Sequence, residues 1–156
     1  VDPSTAFDRL SADAKRVLGI AREEGRHAAA AYLGTEHVLL GVLGVEGGLG
    51  ARVLAGVGLD LAAGRSLVAA APHRPAAIVP TGAIPTSRVR RVIELAFEEA
   101  LRTGSSVVTT GALLVGLILE EDGLASHLLR ERGVTAEAAR DALRRFHDAG
   151  VTETVE

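Results

Sequence analysis

The side chains best placed for chemistry in this sequence are hydroxyls and carboxylates at points where helices begin. Ser11, Thr35 and Thr86 each stand ahead of an apolar-periodic run, where a side-chain oxygen can take up the free N–H groups of a first turn. Glu36 and Glu137 add negative charge in a first turn, which the helix dipole favours. This is chemistry that holds groups rather than breaks bonds. The sequence has no Cys, so thiol nucleophiles, disulfides and thiolate metal sites fall away together. His37 lies next to an acid, but no second His stands three or four residues along, and His27, His73, His127 and His147 show no ligand spacing. His37 is therefore expected at a helix start or in packing, with no metal or other cofactor. No stretch reads Gly-x-x-x-x-Gly-Lys-Ser/Thr, and the only Lys, Lys15, falls inside a helical run, so no loop is present to cradle ATP phosphates. With no acid/base constellation either, the chain is not expected to be an enzyme. Arg88, Arg90 and Arg91 form the densest basic cluster, which suits either a solvated helix face or contact with an acidic stretch on a partner.

The elements that must position these residues come from an internal repeat. Sliding the chain against itself sets Ser11 on Thr86, an offset of 75 residues. At that offset Arg16 and Val17 meet Arg91 and Val92, Glu23 and Glu24 meet Glu98 and Glu99, and Thr35 meets Thr110. Leu39 meets Leu114, Gly41 meets Gly116, and Leu54, Gly58 and Arg65 meet Leu129, Gly133 and Arg140, with no gap. Matches at constant offset argue for a duplicated structural unit.

Each unit reads as four helices. In the first, Ser11 caps a helix with Ala14, Val17, Leu18 and Ala21 on its inner face, fraying near Ala30. Thr35 opens a short, largely buried helix that stops at Gly47 and Gly48, followed by helices over about 49–55 and 61–70. In the second unit Thr86 is the cap and Val89, Val92, Ile93 and Ala96 the inner face. Helices then follow over about 113–119, 124–132 and 135–146, the last opening at Thr135. Val107 to Thr110 is the most strand-like stretch, and is read as a turn between helices. The prolines at 72, 75 and 80 forbid a continuous helix between the units. The expected organisation is one domain over 7–147, with repeat one at 7–71, a Pro-rich linker at 72–83, repeat two at 84–147 and a C-terminal tail at 148–156.

Composition narrows the partners. The net charge of −3 offers no broad field for a phosphate backbone, and aromatic residues at 3% leave almost no stacking platform for bases. A small helical DNA-binding regulator remains the alternative from another class, because paired helices can enter a major groove. No apolar run approaches the ~20 residues needed to span a bilayer, so no membrane partner is expected. Asp2, Pro3 and Asp8 stand where a signal peptide needs basic and apolar residues, which makes a cytoplasmic location the expectation.

The residues Phe7, Asp8, Arg9, Leu10, Ser11, the run Gly34-Thr35-Glu36-His37-Val38-Leu39-Leu40-Gly41, and their second-copy counterparts closely resemble the double Clp repeat at the N-terminus of Clp/Hsp100 unfoldases, the ClpC type above all. That second copy is carried by Thr86, Ser87, Arg88, by Val92 to Leu95, and by Leu113 to Ile118 followed by Glu120 to Leu124. The resemblance implies an all-α, eight-helix pseudo-twofold bundle of two four-helix Clp repeats. It implies a non-catalytic module that docks substrate proteins or adaptor proteins for an ATP-driven ring. The motor is absent from the sequence, which fits either an excised N-domain or a stand-alone protein acting as regulator or decoy.

Two ligand surfaces follow from the same resemblance. In ClpC-type domains, one pocket per repeat takes phosphoarginine. The Gly-Thr-Glu-His glutamate holds the guanidinium, while a helix start and its Thr hold the phosphate. The matching residues here are Ser11, Thr35 and Glu36 in the first copy, and Thr86 and Arg88 in the second. Asp13 replaces the usual arginine of the first copy, and Thr109-Thr110-Gly111-Ala112 replaces the second glutamate motif. The other surface binds cyclic peptide antibiotics, with Phe7, Arg90 and Glu94 at the matching positions and Pro85 in place of a second aromatic ring. Apart from ligand binding, Phe7 also suits a hydrophobic staple before the Ser11 cap.

Overall fold

The computed structural model describes residues 8–30, 32–71 and 84–156, and for Ile84 and Pro85 the backbone alone. The linker 72–83 and Phe7 lie outside the described residues. Repeat one supplies α1 (Ala12–His27), α2 (Thr35–Gly44), α3 (Leu49–Ala55) and α4 (Leu61–Ala70). Repeat two supplies α5 (Ser87–Arg102), α6 (Thr110–Leu119), α7 (Leu124–Glu131) and α8 (Ala136–Asp148). Among the described residues these are the expected eight helices, in the expected all-α architecture.

The two central helices are apolar on every side, and that is why they end up in the middle. Val38, Leu39 and Val42 of α2 and Leu113, Leu114 and Leu117 of α6 have no measurable exposure. The amphipathic helices α1 and α5 lie across them, burying Ala14, Val17 and Ala21 on one side and Val89, Val92 and Ala96 on the other. The crossings are close because glycine stands at each. A Cβ on Gly41 would come within 2.3 Å of the Val17 carbonyl oxygen, and one on Gly116 within 2.5 Å of that of Val92. Any side chain there would force the helices apart.

The repeats are stitched to each other by short parallel pairings that the sequence reading did not anticipate. Strand β1 (Tyr32–Leu33) pairs with β2 (Ile84–Pro85), with Leu33 opposite Pro85. Leu10 and Val108 form the equivalent bridge. The stretch read as a mere turn, Val107 to Thr110, thus includes a residue bound to the other repeat. Ser11 N donates to Val108 O at 2.8 Å, and Thr86 N to Leu33 O at 3.1 Å. In both cases the residue that caps α1 or α5 meets the residue two before the central helix of the other repeat, so the pairing is an exchange across the dyad.

Candidate anion pockets at the repeat interface

The first consequence concerns the threonines of the central helices. Thr35 was expected as the cap of its own helix, but Gly34 occupies the cap position and Thr35 is the first helical residue. Its hydroxyl accepts instead from Ala125 N at 3.2 Å, in the first turn of α7 in the other repeat. Thr110 behaves identically: Thr109 caps α6, while Thr110 Oγ1 accepts from Gly50 N of α3 at 2.9 Å. Each central helix therefore caps a helix of the opposite repeat. Ser11 and Thr86 do act as caps, accepting from Ala14 N at 2.9 Å and Val89 N at 3.2 Å.

The second consequence concerns which side chains meet. Matching within one copy groups Ser11 with Glu36, whereas the fold groups Ser11 with Thr110 and Gly111, and Thr86 with Thr35 and Glu36. The β1–β2 pairing and the Thr86 N to Leu33 O bond set the start of α5 beside Gly34 and Thr35. The start of α5, with Thr86 and the exposed Arg88, thus lies beside the start of α2 with Thr35 and Glu36, all four retained from the resemblance. Glu36 is half-buried and folds back over Gly34, where a Cβ would overlap its carboxylate. Neither Glu36 nor Arg88 has an ion-pair partner among the described residues. His37 is spent at the helix start, its Nδ1 accepting from Gly34 N at 3.0 Å.

The other pocket is changed and filled. Gly111 stands where the register calls for Glu36, and its space is taken: a Cβ there would lie 2.6 Å from Leu143 Cδ2 and 3.4 Å from Leu49 Cβ. Asp13, which replaces the usual arginine of the first copy, does not lie next to Glu36. It lies instead on the Ser11 side, 3.2 Å from Arg16 Nη1 and accepting from Thr154 N at 3.0 Å. The carboxylate of Glu153 sits at the centre. Its Oε2 accepts from Ser11 Oγ at 2.7 Å and Thr110 N at 2.9 Å, and its Oε1 from Thr110 Oγ1 at 2.6 Å and Leu49 N at 2.9 Å. Sequence reading missed Glu153 because the tail lies outside the repeat. The one local signal was Gly150, whose φ of 74° ends α8 and turns the chain back.

Of the antibiotic-surface residues, Phe7 lies outside the described residues, Arg90 is exposed on α5, and Glu94 is ion-paired to Arg91 at 3.0 Å.

A buried carboxylate braces each repeat. Arg65 of α4 reaches Glu24 of α1 at 2.6 Å, and Arg140 of α8 reaches Glu99 of α5 at 2.8 Å. Burial alone would raise the Glu99 pKa, but hydrogen bonds and charge from Arg102 and Arg140 outweigh it and hold the group at about 2.

The model of the Clp repeat N-terminal domain matches residues 9–132 and 84–155, which together take in both repeats. The chain belongs to this Clp repeat family. Among curated relatives, the chloroplastic ATP-binding Clp protease subunit (ClpA homolog CD4B) of Solanum lycopersicum is 34% identical over 131 residues, 84% of this chain. The ClpA homolog of Guillardia theta is 37% identical over 123 residues, 79% of this chain. The chain spans only 14% and 15% of the length of these two relatives. The Clp repeat fold is also that of solved structures. The N-terminal domain of ClpD from Arabidopsis thaliana has a TM-score of 0.70 at 23% identity, covering 90% of this chain and 96% of that one. The N-domain of ClpV from Vibrio cholerae has a TM-score of 0.78 at 16% identity, covering 97% and 92%. A ClpV N-domain in complex with a VipB peptide has a TM-score of 0.71 at 18% identity, covering 88% and 86%.

Proposed function

We propose that this Clp repeat domain is a non-catalytic docking module that takes peptide segments of substrate or adaptor proteins of a Clp-type ATPase. Its working site is the pocket of Thr86, Arg88, Thr35 and Glu36, and its ligand is phosphoarginine. One observation supports this reading: the exchange across the dyad sets the start of α5, which carries Thr86 and Arg88, beside the start of α2, which carries Thr35 and Glu36, and Glu36 and Arg88 are free of ion pairs among the described residues. The sister pocket supports the anion half of the reading, because the donors equivalent to those of Thr35, Thr86 and Leu124 there hold a carboxylate. A phosphate carries more charge and more acceptor oxygens than a carboxylate and suits the same donors, with Arg88 adding a cation and Glu36 meeting the guanidinium fork. The ClpV N-domain solved with a VipB peptide supports peptide docking as a use of this fold.

Calorimetric titration with a phosphoarginine peptide tests it. Binding should be at least tenfold weaker for Glu36→Ala and for Thr86→Ala, unchanged for Asp13→Ala, and absent for the unphosphorylated peptide. A flat titration with the unmodified chain sinks the reading.

A further inference from the structure

The filled pocket points to a device of its own, independent of whether the open pocket takes phosphoarginine. Glu153 is 8% exposed and receives four hydrogen bonds, two from backbone N–H groups at the starts of α3 and α6 and two from hydroxyls. No Lys or Arg shares that carboxylate among these contacts, so its charge is balanced by oriented dipoles, the mode in which helix starts bind anions. The residues beyond it are seated as well. Val155 O accepts from Ala12 N at 2.9 Å and Thr154 O from Asp13 N at 3.1 Å, taking two orphan donors of α1. Asp13 returns the contact by accepting from Thr154 N at 3.0 Å. The extended segment thus reads as a bound peptide that is covalently part of the chain.

Residues specific to this pocket fit that occupant. Gly111 brings no carboxylate to repel Glu153, and Asp13 reaches the tail's backbone. At the Thr35–Thr86 pocket no carboxylate of the described residues takes the place of Glu153. Ile78, which the repeat register sets against Glu153, carries no carboxylate. There, neither Thr35 N nor Leu124 N donates a hydrogen bond to any described residue.

We propose that residues 151–155 are an internal ligand that closes the Ser11–Thr110 pocket to outside ligands. The domain then offers one open pocket rather than two, and the competitor able to open the second is an extended acidic peptide bearing a carboxylate in place of Glu153. A tethered segment of this length acts at an effective concentration of order mM, so a free peptide does not displace it at ordinary concentrations.

The test uses the full chain and a labelled hexapeptide of the sequence of residues 151–156. Fluorescence anisotropy should show binding at least tenfold tighter to the double variant Glu153→Ala/Thr154→Pro than to the unmodified chain. The same peptide with its first Glu changed to Ala should not bind. In NMR spectra of the double variant, the peptide should move the Thr110 and Leu49 amide signals back towards their positions in the unmodified chain. Equal binding to both chains, or to neither while both keep their helical circular dichroism, overturns the proposal. Unfolding of both Glu153→Ala and the double variant also overturns it, because the tail would then be a structural brace and not a replaceable ligand.

Discussion

Arg140 reaches from α8 to the buried Glu99 of α5, donating through Nη2 at 2.8 Å and Nε at 3.1 Å, and 75 residues earlier Arg65 makes the matching reach to Glu24. The two pairs tie the last helix of each repeat to its first. They differ in one respect: Glu99 also receives Arg102 at 2.8 Å, whereas His27 occupies the matching position in repeat one.

This pairing makes stability depend on pH in a defined direction. Glu99 falls from 4.5 to about 2 on folding, so below 4.5 the unfolded chain takes up a proton that the folded one resists. The contribution is fully present above pH 4.5 and is lost as pH falls towards about 2. Urea melts of Glu99→Gln should show about 1–3 kcal/mol lost at pH 7 and little difference from the unmodified chain near pH 2. An equal loss at both pH values would mean that the charge is not what matters.

The exchanged caps give unequal losses at dyad-related positions. Thr35→Val removes the acceptor for Ala125 N and should cost about 1 kcal/mol. Thr110→Val removes the acceptor for Gly50 N and also the donor to Glu153, and should cost about 2 kcal/mol. Denaturant midpoints of the two variants check this, and equal losses would remove the tail carboxylate from the account.

Ala29 holds a φ of 52° at the end of α1, and the register sets it against Gly104, whose φ is 74°. An alanine in the left-handed region is strained where glycine is not. Ala29→Gly should therefore raise stability by about 0.5–1 kcal/mol, seen as a higher Tm, with no loss of helical signal. A lower Tm would place the gain in unfolded-state entropy above the relief of strain.

Restoring the missing glutamate should not restore a second open pocket. Leu143 and Leu49 occupy the space beside Gly111, so Gly111→Glu overpacks that wall and should destabilise the fold by about 1–3 kcal/mol. Calorimetry should find no second phosphoarginine site in this variant. A second site of similar affinity would show that the apolar wall yields.

Much of the fold is written along the chain because its causes are local or periodic. The 75-residue register, the inner faces Ala14/Val17/Ala21 and Val89/Val92/Ala96, and the caps Ser11, Thr86 and Thr135 follow from spacing and side-chain type. What spacing cannot contain is partnership between copies. Equivalence at a fixed offset says that Ser11 corresponds to Thr86, and is silent on whether Ser11 sits beside Glu36 or Thr110. That choice was made by Leu10 bridging to Val108 and Leu33 to Pro85, pairings of one or two residues too short to leave a pattern. Glu153 escaped for a related reason: a single acid in a non-periodic tail gains its role only when three helix starts converge on it in space.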